Sequence, residues 1–162
     1  LQDFLAVNIG TFVGGGLVLG GRVHQGRHGN AAALASMPVC AAGKSDYLIH
    51  HASLYASDQD AAAAEQAAWT QGCVEALSFA VTSANSLLDL EAVIVDGAIS
   101  PVILGDIAEG LRRHFSTDAP PDFFAPEIRT GTLGNVAAAV GAGLLPLHAS
   151  FTPDLASLFK RD

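Results

Sequence analysis

Three consecutive glycines, Gly14-Gly15-Gly16, sit inside an apolar stretch that otherwise reads as strand, and they limit what the first thirty residues can build. Asn8-Ile9-Gly10-Thr11-Phe12-Val13 leads into them and Leu17-Val18-Leu19 leads out, so a strand ends in a turn and a glycine-rich second strand returns. Two physical readings of such a hairpin stand side by side. Glycine lets backbone N–H groups turn toward a ligand at close range, which suits phosphate oxygens. It equally allows tight packing of the strand beneath a neighbouring element. Gly20-Gly21 is a two-residue connection that accepts positive φ at both central positions, and Arg22-Val23-His24 follows as a return strand. The chain therefore opens as an antiparallel meander.

The remainder alternates between helix and strand. From Ala61 to Leu88, the residues Trp69, Cys73, Leu77, Val81, Ala84 and Leu88 recur at three- and four-residue steps and predict an amphipathic helix. Ala92-Val93-Ile94-Val95 is a continuous apolar run of the kind buried in a sheet, ended by Asp96-Gly97. Ser100 and Pro101 then start a second helix, with Val102, Leu104, Ile107, Leu111 and Phe115 assigned to its buried side and Arg112 and Arg113 to its C-terminal dipole. Glu127–Thr130 reads as a further strand, followed by a small-residue helix from Asn135 to about Leu145 and a last helix from Thr152-Pro153-Asp154. This order predicts an α/β lobe.

Composition bounds the setting. A chain of 162 residues, half of them apolar, buries roughly 68–70% of its unfolded surface. Sixteen acidic residues against eight basic ones give a net charge of −8, which opposes binding to a phosphate backbone. No apolar run reaches the roughly 20 residues of a membrane span. Cys40 and Cys73 are too few for a disulfide framework, so a reduced, cytoplasmic setting is expected.

The succession from Phe12-Val13-Gly14-Gly15-Gly16 through Gly26-Arg27-His28-Gly29-Asn30-Ala31-Ala32 to Met37-Pro38-Val39 resembles the ROK family of bacterial sugar kinases and sugar-responsive repressors. Glu91 to Ser100 and Leu133-Gly134-Asn135-Val136-Ala137 to Gly141-Ala142 continue the resemblance in the same order. It implies an RNase H-like, actin-like ATPase lobe: residues 1–162 as the C-terminal lobe alone, a fragment, with the N-terminal lobe and any winged helix-turn-helix upstream. It also implies a homodimer, because an isolated lobe exposes faces normally covered.

Within the resemblance, the chemistry has been altered. The family's Glu-x-Gly-His motif, whose glutamate and histidine hold sugar hydroxyls, reads Ala33 and Ser36 at those two positions. The family's Cys-x-Cys-Gly-x-x-Gly-Cys zinc loop reads Cys40-Ala41-Ala42-Gly43-Lys44-Ser45-Asp46-Tyr47, keeping the first cysteine only. Structural zinc wants four ligands, so no zinc is expected. His50 and His51 are adjacent and should point apart, and His24 and His28 flank a glycine turn with no acidic or thiol partner nearby. Cys40 and Cys73 are expected to behave as small buried hydrophobes. His28, Asn30 and Ser36 are the short polar groups left for a sugar.

On the nucleotide side, the resemblance points to Gly10, Thr11, Gly14, Gly15 and Gly97 as cleft residues. The family's Gly-Thr-Gly turn reads Gly10-Thr11-Phe12, placing a ring at the third position, and its Gly-Gly reads Asp96-Gly97. No catalytic residue is assigned. Losing the sugar-side glutamate and histidine removes charge-assisted bonds of roughly 1.5–3 kcal/mol each. The expectation is a carbohydrate-responsive, dimerising lobe of a ROK-type transcriptional regulator that reaches DNA only through another domain. The alternative is a zinc-free sugar kinase lobe using ATP and magnesium, and a third possibility is a lobe serving assembly alone. The chain is also short for the family between Tyr55 and Ala61. Elemental analysis of the purified protein should find no stoichiometric zinc; one zinc per chain would contradict the ligand arithmetic.

Overall fold

A computed structural model describes residues 1–41, 43–58, 62–119 and 121–151. Three antiparallel strands come first: β1 (Phe4–Ile9), β2 (Val13–Leu19) and β3 (Arg22–Val23). A small hairpin follows, β4 (Pro38–Ala41) with β5 (Lys44–Tyr47), then helix α1 (Ala63–Leu88), β6 (Ala92–Gly97), α2 (Pro101–Thr117), β7 (Glu127–Thr130) and α3 (Ala137–Phe151). The main sheet has the order β3-β2-β1-β6-β7. β1 pairs antiparallel with β2 and parallel with β6, and β6 pairs parallel with β7.

The predicted meander forms as read. Gly20 and Gly21 adopt φ of 57° and 72°, the positive pair that a two-residue hairpin turn demands. Burial alternates along β1, with Leu5, Val7 and Ile9 facing the core and Phe4, Ala6 and Asn8 facing the other side. Register extends the core face to Val13 and Leu17, to Val93 and Val95, and to Ile128. Cys73, Leu77 and Val81 of α1, and Leu104, Ile107, Leu111 and Phe115 of α2, join those residues in one buried cluster. The two helices pack against each other, with Gly110 seated on Val74 where a side chain would collide.

Helix ends follow local chemistry. The Ser100 hydroxyl accepts from the Ile103 amide at 3.2 Å, with Pro101 in the first position. At the end of α1 the buried Asn85 side chain accepts from the Leu90 amide and donates to the Phe124 carbonyl, both at 2.8 Å. Asp89 takes the left-handed conformation there, at φ 50°.

Some expectations are corrected. Val102 is 72% exposed: it lies two residues, about 200° of helical rotation, from Leu104 and so falls off the buried stripe. Cys40 is exposed, because it lies on the open β4–β5 hairpin, whereas Cys73 is buried and its thiol is pushed up to about 12 by desolvation. Arg112 serves no helix dipole; its guanidinium crosses to the Ile128 carbonyl. The small-residue helix runs past Leu145 through Pro146 to Phe151, giving up one backbone bond at the proline. The helix expected from Thr152 lies outside the described residues, as do residues 59–61 of the short segment after Tyr55. No described helix is long and apolar enough to cross a membrane.

The glycine run resolves by face. A Cβ at Gly15 would collide with the Leu34 side chain and the Ala32 carbonyl, whereas at Gly14 and Gly16 it would meet nothing within 4 Å. Gly15→Val should therefore destabilise the fold by about 1–3 kcal/mol in urea unfolding, while Gly14→Ala and Gly16→Ala should fall within about 0.5 kcal/mol of the parent.

Candidate functional site

Parallel pairing of β1, β6 and β7 brings their C-terminal ends to one end of the sheet, where open α/β sheets present ligand crevices. Ile9 lies beside Gly97, and Val95 beside Thr130. Three loops meet there: the turn Gly10-Thr11-Phe12, the stretch from Gly97 to Ser100, and Gly131 to Gly134 leading into α3.

Asp96 fastens two of these loops. Its carboxylate accepts from the Leu133 and Gly134 amides, each at 3.0 Å, and from the Gly97 amide at 2.8 Å. Gly131 admits that carboxylate, since a Cβ there would overlap it. The Asp96 carboxylate is thus engaged as a loop fastener. Gly97 in turn packs on the Ile9 carbonyl, which also accepts from the Ala98 amide at 2.9 Å.

The Gly10-Thr11-Phe12 turn is held from outside. The Leu54 amide donates to the Gly10 carbonyl at 2.9 Å, the Tyr55 amide to the Thr11 carbonyl at 3.2 Å, and the Val13 amide to the fully buried Ser53 hydroxyl at 2.9 Å. Among the described residues, the Thr11 and Phe12 amides donate to nothing. Instead of standing in the turn, the Phe12 ring leans on Tyr55, with centroids 5.5 Å apart and both rings about half exposed. Beside Tyr55, a cleft of about 330 Å³ is lined by Ala56, Trp69, Ser100 and Ile103 among others.

Gly10, Thr11 and Gly97 are therefore brought together. Gly14 stands one residue into β2, on the same sheet face as Asn8 and Asp96. Gly15 belongs elsewhere: its core-facing side is occupied by Leu34, which removes it from the cleft group. Asn8, which the sequence alone did not single out, has a buried Oδ1 with no hydrogen-bond partner, an acceptor positioned between Gly14 and Asp96 by strand register. Only the pairing of three strands reveals that position.

His28, Asn30 and Ser36 are all exposed on the excursion between β3 and β4, which Leu34 pins to β2. Gly26 and Gly29, at φ 72° and 68°, bend this segment. None of the three side chains hydrogen-bonds another group among the described residues.

A different cluster forms on the hairpin. His50 and His51 converge instead of diverging: His50 Nδ1 lies 2.7 Å from one Asp46 oxygen and His51 Nε2 lies 3.2 Å from the other. The single 3₁₀ turn at Leu48–His50 swings both rings back over β5, a rotation that a regular helix or strand would not give. The Tyr47 amide donates to Asp46 at 2.8 Å, and this bond, followed by His50, holds the carboxyl below its usual range. The residues present do not fit a zinc ion. Cys40 is the one thiol of the loop, Tyr47 and Ser36 are exposed, and no group of three or more His, Cys, Asp or Glu among the described residues is arranged to hold a metal.

No protein-family model matches the sequence, and no curated protein sequence does. The fold, however, has close counterparts. A ROK family protein from Streptococcus pneumoniae, solved in complex with sucrose, superposes with a TM-score of 0.72 over 93% of this chain at 19% identity. A ROK family glucokinase from Streptomyces griseus, in complex with glucose and AMPPNP, gives 0.66 over 87% at 19% identity. A ROK family transcriptional regulator, a homolog of the E. coli MLC protein, gives 0.56 over 80% at 20% identity. The chain covers 61%, 59% and 42% of those chains respectively. These likenesses are of fold: a mixed α/β unit built on a five-stranded sheet. More specifically, the chain has the fold of the ROK proteins, shared by a glucokinase and a transcriptional regulator alike.

Because the Asp46 carboxyl is held below its ordinary value, its contribution to stability is present in full above about pH 4 and is lost as pH falls through the lowered value. Asp46→Asn should lower the melting temperature between pH 5 and pH 7, roughly the range where the carboxylate is fully ionised. That difference should shrink progressively as both proteins are taken below about pH 4 in thermal scans.

Proposed function

We propose that this chain is the C-terminal lobe of a ROK-type protein that senses a carbohydrate without phosphorylating it, as the effector-binding and dimerising part of a transcriptional regulator. One observation carries the reading: the positions that would grip a hexose through charge are Ala33 and Ser36, and a carboxylate–imidazole cluster occupies the hairpin where metal ligands would be needed. What remains is a set of short polar side chains, His28, Asn30 and Ser36, suited to hydroxyls through bonds of about 0.5–1.5 kcal/mol each. Binding of that strength is adequate for a sensor, because a ligand shifts an equilibrium by its differential affinity for two states and no transition state has to be stabilised. The MLC-like regulator among the structural counterparts, and the sucrose and glucose complexes, are consistent with this role. DNA would be contacted by a domain outside this sequence, since a net charge of −8 disfavours contact by the lobe itself.

The second reading, a zinc-free sugar kinase lobe, draws on the Thr11 and Phe12 amides, whose unmade hydrogen bonds suit phosphate oxygens, with Gly10, Gly14 and Gly97 alongside. Titration calorimetry of the intact protein with hexoses, N-acetylhexosamines and ATP separates the two. Heat with one sugar and no ADP release is the expected result. Sugar-dependent ADP release would replace the sensor by the kinase, and silence with every sugar would overturn both.

A further inference from the structure

Among the described residues β7 ends the main sheet, and its outer edge borders an open groove of about 670 Å³. The Glu127 and Gly131 amides point inward, donating to the Glu91 and Val95 carbonyls at 2.9 Å and 2.7 Å. In a strand, successive residues direct their backbone groups to opposite sides, so Ile128 and Thr130 present N–H and C=O outward. Such a row is a template on which another strand can pair.

One of those outward groups is already filled. Arg112, reaching over from α2, donates to the Ile128 carbonyl through Nε at 3.1 Å and Nη2 at 3.0 Å. A carbonyl has two lone pairs, and this single guanidinium takes both. Nη1 is steadied by Glu109 at 3.4 Å.

The strand behind this cap is complementary to itself. In an antiparallel pair centred on Ile128, the outward N–H of each Ile128 would donate to the Ile128 carbonyl of the other copy. Glu127 would then stand directly opposite Arg129, twice, on the exposed face. Within one chain these two residues now satisfy each other, at 2.6 Å. Opposite charges at directly facing positions favour that register, and like charges oppose it.

We infer that Arg112 is a guard: it keeps the β7 edge closed to antiparallel pairing with β7 of a second copy of this chain. Among the described residues the sheet stops at five strands, and the guanidinium closes its β7 edge. Pairing at this edge requires the one oxygen that Arg112 saturates.

Arg112→Met keeps an aliphatic stem and removes all the donors, and light scattering after size exclusion reads the result at matched concentration. The variant should show twice the wild-type mass, and in hydrogen exchange its Ile128 and Thr130 amides should gain at least about tenfold protection. Adding Glu127→Lys sets an ammonium opposite Arg129 of the other copy and should return the wild-type mass; adding Arg129→Glu as well should restore the doubled mass. A folded Arg112→Met protein of unchanged mass overturns the inference, and so does a doubling indifferent to Glu127→Lys. If circular dichroism shows that Arg112→Met does not fold, Arg112→Gln, with a single donor group, is read in the same assays. An unchanged mass for that folded variant likewise overturns the inference.

Discussion

The close approach of β6 to β1 at Gly97 is the contact on which the rest of the site depends. The Ile9 carbonyl lies against Gly97 and accepts from the Ala98 amide, so the two parallel strands end level with each other. A side chain at position 97 would force the strands apart there. The Asp96 carboxylate, one residue earlier, would then lose its position beneath the Leu133 and Gly134 amides. Three loops that are far apart in sequence are held in one place by a missing methyl group and a single acidic side chain.

A second set of bonds works from the other flank. The excursion from His24 to Asp58 leaves the sheet at β3, folds its own hairpin and returns to the first turn, where the Leu54 and Tyr55 amides and the Ser53 hydroxyl grasp Gly10, Thr11 and Val13. Ser53 is wholly buried, and its hydroxyl satisfies a backbone amide that would otherwise go unpaired in the core. The hairpin within this excursion is short, and two-stranded ribbons are marginal in water. Asp46, His50 and His51 supply a polar fastening there, and β4 packs on α1.

Much of the fold was legible in the residues. The Gly20-Gly21 turn, the helix cap at Ser100-Pro101, the apolar stripe of α1 and the strands at Ala92 and Glu127 all follow from rules acting over a few residues, and these elements form where expected. The candidate site was legible in part. Gly10, Thr11 and Gly97 do meet, whereas Gly15, adjacent to Gly14 in sequence, faces the opposite side of the sheet, because side chains alternate along a strand. Asn8, an ordinary polar residue in a strand, gave no signal until its neighbours were in place.

Periodicity, glycine turn chemistry and helix capping let the sequence by itself determine the order and type of the elements, for these depend on contacts within a turn or two of the chain. The tertiary structure alone decided the partners of the charged groups. Asp96 bonds to amides 37 and 38 residues away, and Arg112 closes the edge of a strand 16 residues on. Asp46 gathers two histidines that adjacency in sequence would set apart. Hydrogen bonding is short-ranged and directional, so which donor meets which acceptor is fixed only when packing has brought distant backbone segments to within about 3 Å.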